Sequence, residues 1–222
     1  MKILLDTASL DEVRWATEVG IIDGISTDPT LISEERSSDE YHELLGELCR
    51  LTRGPVLAPV LAITADDIYR DGKELAKIAD NVVVEVPVLE DGLRATARLA
   101  ADGIRVTATL VFSAAQALFA AKAGAFSVSA FIGRIDDVGG DGIALVRDIR
   151  QLFDRHHVEC ELNAASIRAP RQFTEAAIIG ADAAAVPPDV LRLLLVHPLT
   201  DLGVDHFLYD WSKRVSRSRS SL

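Results

Sequence analysis

At 222 residues, 49% of them hydrophobic, the chain is long enough to bury one sizeable core and reads as a single α/β domain. Its formal net charge of −11 argues against nonspecific nucleic-acid binding, and no apolar run is long enough to span a bilayer. Two cysteines, Cys49 and Cys160, supply neither a disulfide framework nor metal-ligand spacing, which suits reduced residues in a cytoplasmic protein.

Met1 runs straight into a strand pattern rather than into a hydrophobic leader. In chain order the predicted strands are 2–6, 24–28, 56–61, 82–87, 105–111, 127–132, 159–164 and 183–187, all short runs rich in Val, Ile, Leu or Ala. Amphipathic stretches at 10–18, 66–78, 93–101, 114–123, 142–153, 171–179 and 189–195 predict the intervening helices. Strand–helix alternation implies parallel βαβ units, and eight of them fit a closed (β/α)8 TIM barrel. A doubly wound open sheet alternates in the same way. However, Asp6-Thr7-Ala8-Ser9 follows the first strand where a Gly-rich phosphate loop would be needed. Gly124 and Gly180 sit where helices must end before the next strand. No sequence repeat or interdomain linker interrupts the pattern, so the barrel is assigned to 1–213.

After the eighth unit, residues 204–213 predict an extra C-terminal helix with Phe207, Leu208 and Trp211 on one face. That face either closes the chain's own barrel or packs on a neighbouring subunit. Residues 214–222 form a basic, Ser/Arg-rich tail expected to be mobile.

Several phrases carry chemistry. They are Leu5-Asp6-Thr7-Ala8, Gly24-Ile25-Ser26-Thr27-Asp28-Pro29-Thr30, Thr107-Ala108-Thr109-Leu110-Val111-Phe112-Ser113, Phe131-Ile132-Gly133-Arg134-Ile135-Asp136-Asp137, and Ala164-Ala165-Ser166-Ile167-Arg168. In order and spacing they resemble the transaldolase family, including its small fructose 6-phosphate aldolase branch, over nearly the whole chain. The resemblance implies a TIM barrel acting on sugar phosphates, and homo-oligomers, possibly pentamers or decamers, built through the C-terminal helix. It makes Asp6 the proton-handling carboxylate and Thr109 the hydroxyl that supports a catalytic water. Arg134 and Ser166 match the phosphate-holding groups, with Arg168 beside them. Phe131 matches the aromatic of ordinary transaldolases, and Thr27 lies in a substrate-contacting phrase.

Three positions depart from the family's pattern. Glu85 stands where the resemblance expects the Schiff-base lysine, Asp28 where it expects a substrate-contacting asparagine, and Pro59 where it expects a Glu or Gln that orients water. A Schiff base needs an amine in a dry pocket. The five lysines, Lys2, Lys73, Lys77, Lys122 and Lys213, all fall on helices or at the start of the first strand.

Asp6, Asp28 and Glu85 instead suggest a carboxylate cluster. Such a cluster is resolved by a retained proton, by a divalent cation such as Mg2+, by an arginine partner, or by a cationic substrate. The functional expectation is therefore acid–base chemistry on a phosphorylated sugar or keto compound. The rivals are a non-catalytic sugar-phosphate binder or scaffold and the conventional aldol transfer. Among the histidines, His42 and His206 read as surface residues and His156 and His157 as the end of a helix, so none is assigned to catalysis.

Overall fold

Eight parallel strands close on one another in chain order, so the computed structural model is a (β/α)8 barrel. It describes residues 1–35 and 40–219. The strands are β1 (Lys2–Asp6), β2 (Gly24–Ser26), β3 (Val56–Pro59), β4 (Val82–Pro87), β5 (Val106–Val111), β6 (Ser127–Phe131), β7 (Glu161–Ala165) and β8 (Ala183–Val186). The helices are α1 (Leu10–Val19), α2 (Pro29–Glu35), α3 (Tyr41–Leu51), α4 (Ala65–Ala76), α5 (Glu90–Ala101), α6 (Ala114–Lys122), α7 (Ile132–Asp137), α8 (Gly142–His156), α9 (Pro170–Ile179), α10 (Pro188–Leu195) and α11 (Pro198–Arg219).

Side-chain alternation along each strand separates two apolar layers. Leu5, Ile25, Val84, Ala108, Val128, Leu162 and Val186 face outward and pack under the helices. Leu4, Leu57, Val83, Ala165, Ala183 and Ala185 face inward and fill the barrel with Phe126 and Phe131. Polar pairs complete the interior: Asn163 Nδ2 donates to Ser129 Oγ at 3.0 Å, and the Thr107 and Ser127 hydroxyls bond one another. At the end where the strands begin, Lys2 Nζ pairs with Glu161 Oε1 at 2.6 Å and lies over the Phe126 ring. Because the alternation has a period of two, the residues that end the strands on the inward face, such as Asp6, Pro59 and Glu85, belong to the opposite mouth.

Besides shifts of one to three residues at other element ends, such as β3 stopping at Pro59 and β7 starting at Glu161, the structure differs from the sequence reading in four places. β2 stops at Ser26 because Asp28 begins α2: its Oδ1 accepts the Leu31 N–H at 2.9 Å, a side-chain cap on the helix start. The sequence reading assigns no element to 29–51, yet α2 and α3 lie there, and α3 buries Tyr41, Leu44, Leu45, Leu48 and Cys49 at helical spacing. β6 hands over directly to the short α7. α11 starts at Pro198 and its backbone continues past Lys213 to Arg219, while residues 220–222 of the expected tail lie outside the described residues. No helix among the described residues is long and apolar enough to cross a membrane.

Candidate active site

The carboxyl ends of barrel strands are where such folds keep their chemistry, because the βα loops there can vary without disturbing the core. Two adjoining cavities, about 90 and 290 Å3, open at this mouth. Asp28, Glu85, Phe131 and Arg134 border both cavities. Asp6, Thr27, Ser166 and Arg168 line the smaller one, and Thr109 the larger. All nine candidate residues thus come together, from six different strand ends and the loops that follow them.

Glu85 is buried, only 5% exposed. Register places it level with Pro59 of β3 and Thr107 of β5. Burial, then the nearby Asp6 and Asp28 charges, push its carboxyl up to about 8, against a hydrogen bond from the Thr109 hydroxyl that favours the ionised form. Asp6 is pushed up to about 7, first by burial and then by Asp28, with a Ser26 hydrogen bond and the Arg168 charge pulling the other way. A strip of solvent contact remains at Asp6. Asp6, Asp28 and Glu85 make no ion pair with any described residue, whereas Asp11, Asp67, Asp102 and Glu161 each have a cationic partner.

The opposite wall is cationic. Arg134 lies with its guanidinium 5.0 Å from the Phe131 ring, and Phe112 packs edge-on against that ring. Arg134 forms no ion pair among the described residues. Asp137 meets Arg168 at 3.4 Å, and Asp136 accepts from the Gly142 N–H at 2.7 Å and from the Gln172 side chain. Gln172 Oε1 in turn accepts the Arg168 N–H at 2.6 Å, which fixes the loop that carries Arg168. Gly133 lets α7 approach this loop: a Cβ there would lie 1.8 Å from the Ser166 carbonyl oxygen.

Some residues carry structural duties that the sequence did not reveal. Asp28 caps α2, as above. Thr27 donates its hydroxyl to the buried Leu57 carbonyl at 2.9 Å, bracing β2 against β3 and leaving only lone pairs for a ligand. Tyr41, from the unassigned α3, donates to the Pro59 carbonyl at 3.0 Å and stands close enough to Glu85 that this charge helps raise its phenol. Leu110 and Ser166 border the cavities with left-handed backbone, at φ 58° and 59°. At Leu110 the β5–β6 register also shifts. Such conformations cost about 1 to 3 kcal/mol in a non-glycine residue and cluster at functional sites. Nothing in the motif spacing announces them.

Among the described residues, no group of three His, Cys, Asp or Glu side chains is placed to hold a metal ion. The lysines lie away from both cavities. Lys2 pairs with Glu161 at the far end of the barrel, Lys73 with Asp102, and Lys77 with Glu74, while Lys122 and Lys213 are on α6 and α11.

Fold and mouth together define a (β/α)8-barrel protein with a polar cleft that is acidic on one wall and basic on the other. The family profile described as Transaldolase/Fructose-6-phosphate aldolase matches residues 3–218. A probable transaldolase of Methanococcus vannielii is 44% identical over 98% of this chain and all of that protein. Probable transaldolase 1 of Bacillus cereus is 46% identical over 96% of this chain and 98% of its own. A probable transaldolase of Roseiflexus castenholzii is 47% identical over 95% and 97%. The chain belongs to the transaldolase/fructose-6-phosphate aldolase family.

Proposed function

We propose that this protein acts on a phosphorylated sugar or keto compound by proton transfer between paired carboxyl groups, without a Schiff base. One observation carries the reading: the mouth holds Asp6 and Glu85, both with raised proton affinity, while every lysine of the chain lies elsewhere. Two carboxyl groups whose proton affinities are both raised toward neutral pH are what acid–base enolisation needs.

In this reading Glu85, largely protonated at pH 7, gives its proton to the substrate carbonyl oxygen. Asp6, partly ionised, takes a proton from the adjacent carbon. The C–H electron pair becomes the C=C bond of an enediol as the carbonyl π pair takes up the Glu85 proton. The Thr109 hydroxyl, hydrogen-bonded to Glu85, fixes its orientation. Arg134, Ser166 and Arg168 hold the phosphate, a task suited to guanidinium groups. Reprotonation at the neighbouring carbon completes an isomerisation, and departure of the β-hydroxyl as water, carrying the proton that Asp6 took, completes a dehydration; in an aldol cleavage Asp6 instead takes the β-hydroxyl proton while the carbon–carbon bond breaks and its electron pair forms the enediol.

The test is hydrogen–deuterium exchange at the carbon beside the carbonyl, followed by proton NMR with a panel of ketose and triose phosphates in deuterated water. Exchange is expected from the native protein and loss of about a hundredfold or more from Glu85→Gln, in keeping with the usual contribution of a general acid. Ligand binding with no exchange would replace this reading by a non-catalytic sugar-phosphate binder. A covalent adduct trapped by borohydride would return it to conventional imine chemistry.

We also propose that the protein assembles as a homo-oligomer through α11. Support comes from the family resemblance and from the helix itself, where Leu199, Phe207, Leu208 and Trp211 stay exposed, Trp211 at 68%.

A further inference from the structure

The mouth is divided by charge in a way that a phosphate alone does not use. Arg134 and Arg168, with Ser166, face it from the β6 and β7 side. Asp6, Asp28 and Glu85 face it from the β1, β2 and β4 side. The groups acting on the buried Glu85 are Asp6, Asp28 and Thr109, and beyond them Tyr41 from α3 senses its charge. None of these is a cation. Only Arg168 reaches Asp6, and its effect is smaller than that of burial or of Asp28. A substrate with a phosphate and otherwise only hydroxyl and carbonyl groups would satisfy the basic wall and leave Asp28 without a positive partner and Asp6 with only the weaker influence of Arg168. Carboxylates held together in a partly buried cleft gain most from a cation supplied by the ligand.

We propose that the substrate carries a protonated amine at the end away from its phosphate, as an amino-sugar phosphate does, and that Asp6 and Asp28 receive that ammonium. The proposal rests on the phosphate-binding acid–base reading above and specifies its substrate class. Asp6 and Asp28 are the natural pair for this task. They lie at the ends of neighbouring strands, close enough for Asp28 to perturb Asp6, and they stand across the cleft from Arg134. Asp28 spends one oxygen on the Leu31 N–H, so the other remains for the ligand. An ammonium here favours ionised Asp6, the state required of the base, while burial, the largest cause of the raised affinity at Glu85, keeps a proton there to donate. No covalent step is involved in the recognition.

The experiment compares glucosamine 6-phosphate with glucose 6-phosphate by titration calorimetry at pH 7 on the full-length protein. These probes share the phosphate and differ in an ammonium against a hydroxyl. The native protein should bind the aminated probe about tenfold or more tightly, the scale of one charge-assisted hydrogen bond. Asp28→Asn retains an oxygen to cap α2 and removes only the charge, so it should bring the ratio close to one. Arg134→Ala should weaken both probes and keep their ratio. Equal affinities in the native protein, a ratio unchanged in Asp28→Asn, or no binding of either probe at millimolar concentration would overturn the proposal. Deuterium exchange on an unaminated ketose phosphate, without amine preference, would sink this inference and leave the acid–base reading standing. Amine preference without any exchange would do the reverse.

Discussion

Glu85 is the acid of the proposed reaction, and the same carboxyl makes stability depend on pH. Its carboxyl is pushed from an ordinary 4.5 to about 8, mainly by burial, so the folded state binds its proton more tightly than the unfolded chain does. Stability from this group is therefore complete below about pH 4 and is lost progressively as the pH rises toward 8. Asp6, raised to about 7, adds a loss of the same sign up to about pH 7. Glu85→Gln carries no charge at any pH and escapes its share. The melting temperature of the variant, relative to the native protein, should climb between pH 5 and pH 9, with a difference on the order of 3 kcal/mol at the upper end. A difference that stays flat across that range would mean Glu85 ionises freely in the fold. At this scale the sequence was informative: all nine candidate residues border the two cavities. The exceptions are physical. Backbone strain at Leu110 and Ser166 leaves no trace in residue type, and the commitment of Thr27 to Leu57 depends on a partner thirty positions away.

At the level of elements, the barrel could be read from its alternation, while the short helices at the mouth could not. A six-residue segment such as α7 is too short to display a helical period. The Asp28-Pro29 start of α2 is a helix signal, a capping residue followed by Pro at the first turn, that a strand assignment through 24–28 obscured. α3 shows its period plainly, but a pattern of one helix per strand leaves no room for an additional one. These elements govern where the ligand-holding groups stand. α7 approaches the end of β7 only because residue 133 has no Cβ, since one would lie 1.8 Å from the Ser166 carbonyl oxygen. Gly133→Ala should force that loop and α7 apart, lower the urea midpoint by the equivalent of roughly 1 to 3 kcal/mol, and weaken competition by inorganic phosphate. Unchanged phosphate competition would show that Arg134 and Ser166 do not need that contact.

Across the whole molecule, the two ends of the barrel differ in kind. One end is tied by Lys2 and Glu161, with apolar side chains above them. The other is an open polar cleft, so the candidate site occupies a single face. Outside the barrel, α11 leaves Phe207 and Trp211 in solvent, and a chain with this helix unpartnered would be prone to associate. In light scattering the native protein should give a multiple of the 24.0 kDa chain mass. Phe207→Asp with Trp211→Asp should shift it toward the monomer, while far-UV circular dichroism stays close to native. Monomer mass in the native protein would refute assembly through α11.

The left-handed backbone at Leu110 and Ser166 has a consequence for how this protein would respond to selection. Both positions hold conformations that glycine adopts without strain, and glycine at either would relieve part of that strain. A library screened only for heat resistance would therefore be drawn toward glycine at Ser166, giving up the hydroxyl at the phosphate wall. A library screened for turnover would keep serine and accept the lower melting point. The two screens would diverge first at the mouth, while the Val, Leu and Ile positions beneath the helices answered both in the same way.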